Sequence, residues 1–138
     1  MLSSLRKLFV KGGDHSGLLV LPQNEEFSFS LKLKDIEVGE LSCKNGQWYF
    51  CYTDEFKSLS NEYYPIVGFN DLNKVYKSDS LWPFFLIRIP GLGQPYVRQL
   101  IEKEGIDITN EAQLLGRFGH STIANPFILV NKENLEPA

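Results

Sequence analysis

Catalysis would have to be built from histidine, cysteine, carboxylate and hydroxyl side chains, and here these do not fall into any working set. His15 stands in a glycine-rich stretch, and His120 follows the expected end of a helix, where a cation is favoured. Neither has a Cys or a second His at metal-ligand spacing, so no metal site is assigned. The carboxylate pairs Glu25-Glu26 and Glu102-Glu104 lie among polar and charged neighbours, the pattern of solvated surface rather than of an acid/base dyad. Gly91-Leu92-Gly93 lacks the third glycine of a dinucleotide fingerprint and the Gly-Lys-Ser/Thr ending of a nucleotide loop. Ser121 and Thr122 have no nucleophile elbow around them, and no kinase set of paired Lys and Glu with catalytic-loop Asp and Asn occurs. No catalytic, cofactor-binding or metal-binding residue is assigned, no cofactor is expected, and the expectation is a protein that is not an enzyme.

The chemistry left is that of contact. "SDSLWPFFLIRIPG", residues 78 to 91, gathers Trp82, Phe84 and Phe85 around Pro83 and reaches Pro90. Trp82, Phe85 and Arg88 are the partner-contact candidates, since Trp and Arg are the usual anchors of interfaces. The competing reading is core. If this segment packs on a sheet, either Phe84 and Leu86 or Phe85 and Ile89 face inward, and Arg88 caps the rim.

Composition sets the frame for that choice. The 138 residues, 43% hydrophobic and 22% charged, suit one soluble globular domain with a sizeable core. Ten Phe, six Tyr and two Trp can mostly be absorbed by that core, with some left for a contact patch. A net charge of −3 disfavours direct nucleic-acid binding, although a local basic patch can survive. The opening "MLSSLRKLFVKGG" can be read as an amphipathic helix or a flexible arm; it lacks a signal peptide's apolar core and cleavage site. No membrane span is expected, and the expected location is cytoplasmic. Cys43 and Cys51 should lie on opposite faces of a hairpin and stay unbridged, which suits a reducing compartment.

The elements that would position a contact surface follow from periodicity. Phe27, Phe29, Leu31 and Leu33 alternate with Ser28, Ser30, Lys32 and Lys34, a half-buried strand. Asn45-Gly46 between apolar runs predicts a hairpin that places Leu41, Cys43, Trp48 and Phe50 on one face, with Tyr49 and Cys51 on the other. Residues 53–64 are mixed and can hold a helical turn, and "NDLNKVYKSDS" reads as a polar connection. Pro95 starts a helix that ends near Gly105; Asn110 and Gln113 form a capping box for a second helix with Leu114, Leu115 and Phe118 on its apolar stripe. "ANPFILV" is the last strand, with Pro126 marking a sheet edge. The fold class is therefore α+β: a small antiparallel, barrel-like sheet, then short helices and a final strand. Residues 1–24 form an arm, 25–131 one domain and 132–138 a polar tail.

Four segments in order resemble the N-terminal subdomain of HipA-type proteins. They are the hairpin from Val38-Gly39 to Tyr52, the "YYPIVGF" segment, the Phe-Phe-to-Pro run from Phe84 to Pro90, and Leu114-Leu115 through Gly119. The resemblance spans roughly residues 36 to 130; Ile-Arg-Ile-Pro at 87–90 stands where that family has Asn-Leu-Leu-Pro. HipA toxins are bacterial serine/threonine kinases whose ATP loop and catalytic aspartates lie outside this piece. The resemblance implies a stand-alone, antitoxin-like module of a split toxin–antitoxin system. Its partner would be a separate HipA-like kinase, with a HipB-like DNA-binding protein as a third member. A homodimer through the aromatic segment stays open. The alternative from another class is a small barrel that binds single-stranded nucleic acid through Tyr49 beside Lys32 and Lys34.

Overall fold

A computed structural model describes residues 26–132; the arm and tail readings fall outside these, apart from Lys132. Strand β1 (Glu26–Leu33) is followed by β2 (Ile36–Lys44) and β3 (Gln47–Tyr52). Then come helix α1 (Asp54–Lys57), strand β4 (Tyr76–Ser78) and helices α2 (Pro83–Leu86), α3 (Pro95–Glu104) and α4 (Glu111–Phe118), and strand β5 (Ile128–Asn131) closes the order. The sheet is wholly antiparallel in the order β4-β3-β2-β1-β5.

Asn45 and Gly46 both adopt positive φ, 52° and 77°, which matches the twist of a two-residue hairpin. That turn sets Cys43 opposite Trp48 and Leu41 opposite Phe50, as the spacing predicts. One face therefore carries Phe29, Leu31, Leu41, Cys43, Trp48, Phe50 and Tyr52, all buried. Gly39 lies on this face because a Cβ there would come within 2.5 Å of the Phe50 ring, so only glycine admits that ring over the strand. Phe85, Ala112 and Leu115, from α2 and α4, complete this core. Val97 and Ile101 of α3 form a satellite cluster with Leu114.

The α+β class stands, but the sheet is open rather than barrel-like. Closing a sheet requires its edges to pair. Here the edges β4 and β5 are three and four residues long and sit at opposite ends, while helices cover the apolar face. The nucleic-acid alternative thereby loses its barrel. Strand β4 arises within the segment read as a polar connection. It pairs through its backbone, Tyr76 to Phe50 and Ser78 to Trp48, and needs no apolar alternation of its own.

The helix boundaries follow local chemistry. Thr53 caps α1 by accepting from the Phe56 N–H, and Asn110 caps α4 by accepting from the Gln113 N–H. Pro95 occupies the start of α3, where its missing N–H costs nothing, and Gly105 ends it at φ 68°.

Candidate protein-contact surface

The segment opened by Trp82 is helical, not extended. Pro83 begins the single turn α2, and Arg88 N–H and Ile89 N–H continue it by donating to the carbonyls of Phe85 and Leu86. Helical spacing turns Leu81, Phe85 and Arg88 inward together. Leu86 and Ile87 face solvent, Ile87 at 53% exposure.

This placement corrects two of the three contact candidates. Phe85 is fully buried, its ring against Phe50 at 5.6 Å and Phe69 at 6.1 Å, so it cannot reach a partner. Arg88 is only 3% exposed and is not a rim residue. Its Nη1 donates to the Gly119 carbonyl at 3.1 Å and the His120 carbonyl at 3.4 Å; its Nη2 donates to Asn125 Oδ1 at 3.1 Å and the Phe127 carbonyl at 3.0 Å. Its Nε is buried without a partner, and desolvation lowers its pKa. The guanidinium also lies 5.7 Å from the Phe84 ring centre. Trp82 is half-buried and packs edge-on against Phe69 at 5.2 Å, split between core and solvent.

Arg88 thus holds the loop after α4. A bridge between Thr122 and Asn125 closes its tip, and Thr122 Oγ1 accepts from the Ala124 N–H. Ile123 at that tip is fully exposed. Phe84 and Phe127 meet at 5.6 Å where α2 approaches this loop. Two buried side chains thereby fix the backbone that presents Ile87 and Ile123, Arg88 through the loop and Phe85 through the sheet. Sequence reading missed both isoleucines. The available signal was a β-branched apolar residue inside the turn cluster His-Ser-Thr-Ile-Ala-Asn-Pro, where no periodic element could bury it.

Behind the surface, Trp48 Nε1 donates to Glu111 Oε1 at 3.1 Å, joining β3 to the first residue of α4. Burial raises the Glu111 pKa, and hydrogen bonds from Trp48 and the Leu81 backbone oppose the shift. Cys43 lies in the same region and is pushed up to about 11 by burial and by Glu111. The Glu111 carboxylate thus ties α4 to β3 and to the Leu81 backbone. No group of three or more His, Cys, Asp or Glu that could hold a metal occurs among the described residues.

On the second sheet face Tyr49 does not adjoin Lys32 or Lys34. Its cross-strand neighbours are Ser42 and Lys77, and Lys44 lies 5.8 Å from its ring centre. Glu26 pairs opposite Lys44, and Gln47 holds Asp79 nearby, so the face is mixed in charge. Among the described residues, no helix is long and apolar enough to cross a membrane.

The fold defines an α+β protein with an open five-stranded antiparallel sheet, on which Ile87 and Ile123 are exposed. No protein-family model matches the chain, and no curated protein matches it in sequence.

Proposed function

We propose that this chain is a non-catalytic, cytoplasmic interaction module that binds and regulates a separate HipA-like serine/threonine kinase, as an antitoxin-like component of a split system. The observation that carries the reading is the pair Ile87 and Ile123, exposed on backbone that Arg88 and Phe85 hold in place. Exposed apolar groups on a rigid frame lose little entropy on docking, the property of an interface anchor. The order of the HipA-like motifs supplies the partner's class.

The test is co-expression with a HipA-like kinase that lacks its own N-terminal subdomain. A stable complex, and relief of the growth arrest caused by that kinase, are expected. The double substitution I87D/I123D should abolish both while leaving the urea midpoint of the isolated protein unchanged. Absence of a complex, or a complex indifferent to the double substitution, overturns the reading.

A further inference from the structure

The turn that sets the sheet's register also holds the chain's single Asn-Gly step. Of nine asparagines, Asn45 alone precedes a glycine; the others precede Glu, Asp, Lys, Pro or Leu. Asn45 is exposed at the tip of the β2–β3 hairpin, beyond the last pair of the ladder, Lys44 and Gln47. Gly46 has no side chain to shield its nitrogen. In a two-residue turn the N–H of the second central residue lies outside the bond that closes the turn, so the ladder does not hold the Gly46 nitrogen.

We propose that Asn45 is a site of spontaneous deamidation, and that its isoaspartyl product distorts the hairpin and loosens the Trp48 tie to α4. The Gly46 amide nitrogen gives up its proton to solvent base and attacks Asn45 Cγ. The bond from Cγ to the side-chain nitrogen breaks, ammonia leaves with a proton from water, and a cyclic imide remains. Water then opens either carbonyl of the imide. Attack at Cγ gives aspartate; attack at the backbone carbonyl gives isoaspartate, with the main chain routed through the side chain. Nothing is oxidised or reduced.

The turn gives these products opposite fates. Asp-Gly suits the same positive-φ hairpin turn as Asn-Gly, so aspartate keeps the pairing. Isoaspartate adds a methylene to the main chain inside a turn whose two residues sit at φ 52° and 77°. The first core pair past that turn is Cys43 opposite Trp48, and Trp48 Nε1 donates to Glu111 Oε1 at 3.1 Å. A lengthened turn therefore acts directly on the pair that carries the tie. The inference rests on the hairpin alone and is independent of any partner.

The test incubates the purified full chain in mildly alkaline buffer, where hydroxide speeds the reaction, and follows it by peptide mass mapping. Conversion of amide to acid is expected only in the peptide that holds Asn45, with isoaspartate detected there by isoaspartyl methyltransferase labelling. Asn45→Gly, which still suits the turn, should show neither change. The isoaspartyl fraction should unfold at lower urea than fresh protein, with Trp fluorescence shifted toward the solvent-exposed spectrum. Asn45→Asp should keep the native midpoint. Retention of the amide at Asn45 while the urea-unfolded chain converts in the same buffer overturns the site. An isoaspartyl fraction as stable as fresh protein, or a midpoint lowered equally by Asn45→Asp, overturns the consequence.

Discussion

Substituting Arg88 separates a buried tie from a surface contact by magnitude alone. Three of its four hydrogen bonds are 3.0–3.1 Å long, to the Gly119 carbonyl, Asn125 Oδ1 and the Phe127 carbonyl. Bonds from a charged donor each contribute about 1.5–3 kcal/mol. Against them stands the cost of desolvating the guanidinium, several kcal/mol for a buried ion, with Nε left unpartnered. Arg88→Ala recovers that cost but strands the acceptors and leaves a cavity beneath Phe84. The net expectation is a loss of about 3–5 kcal/mol, the range for removing one member of a buried charged network. For a domain with about 5–15 kcal/mol of total stability this is a severe loss. Arg88→Lys keeps the charge but cannot reach acceptors on both sides, so it should lose about 2 kcal/mol or more. Urea unfolding followed by Trp fluorescence measures both values. A change within about 0.5 kcal/mol for Arg88→Ala, the size of an ordinary surface substitution, refutes the assignment.

Other substitutions probe other ties. Tyr52→Phe strands the Ile66 N–H and the Phe69 carbonyl and should cost about 2–4 kcal/mol by urea unfolding; a change below about 0.5 kcal/mol would show that the turn from Ile66 to Phe69 does not depend on the hydroxyl. Gly39→Ala should cost about 1–3 kcal/mol, because the added methyl must displace the Phe50 ring; full stability would refute that close approach. The Glu111 pKa is raised in the folded state, so its stabilising contribution is complete below the unfolded value of 4.5 and is lost as pH rises through the higher folded value. Glu111→Gln should therefore gain stability relative to the native protein between pH 4 and 7, and a difference that stays flat across that range would contradict it. Cys43, raised from 9.0 to about 11, holds about 3 kcal/mol below pH 9 that is lost as pH passes 11; Cys43→Ala should flatten that part of the alkaline unfolding curve.

The sheet was legible in the sequence because its information is local. Asn45-Gly46 fixes a turn, the turn fixes a register, and the register fixes which of Leu41, Cys43, Trp48 and Phe50 share a face. The cap of α4 was legible for the same reason, since Asn110 and Gln113 lie within one turn, although Gln113 Oε1 accepts from the Asp107 N–H rather than completing the box at Asn110. Strand β4 was not, because an edge strand of three residues takes its stability from backbone pairing with β3. Nor was the open form of the sheet, which depends on how edges far apart in sequence meet or fail to meet.

The contact candidates show where residue type misleads. Trp, Phe and Arg dominate measured interfaces, and the same properties make them the groups that a small domain most needs inside. Phe85 is taken by the core, and Arg88 is taken because four oxygen acceptors, 31 to 39 residues away, converge on one point. None of those acceptors carries a charge that a sequence could advertise: three are backbone carbonyls and one is the Asn125 amide. The large apolar side chains left exposed include aliphatic residues of less telling type, Ile87, Ile123, Val67, Val75 and Ile108, beside Tyr64 and Tyr96. Arg88 and Tyr52 have parallel roles here. Each is buried, each holds loop backbone through hydrogen bonds that cross the fold, and each fixes a loop that carries an apolar residue to the surface. An interface maintained this way loses its geometry when the tie is cut, even if every contacting side chain is intact. Loss of partner binding on substituting Arg88 therefore has to be weighed against stability, whereas substitutions at Ile87 and Ile123 report on contact alone.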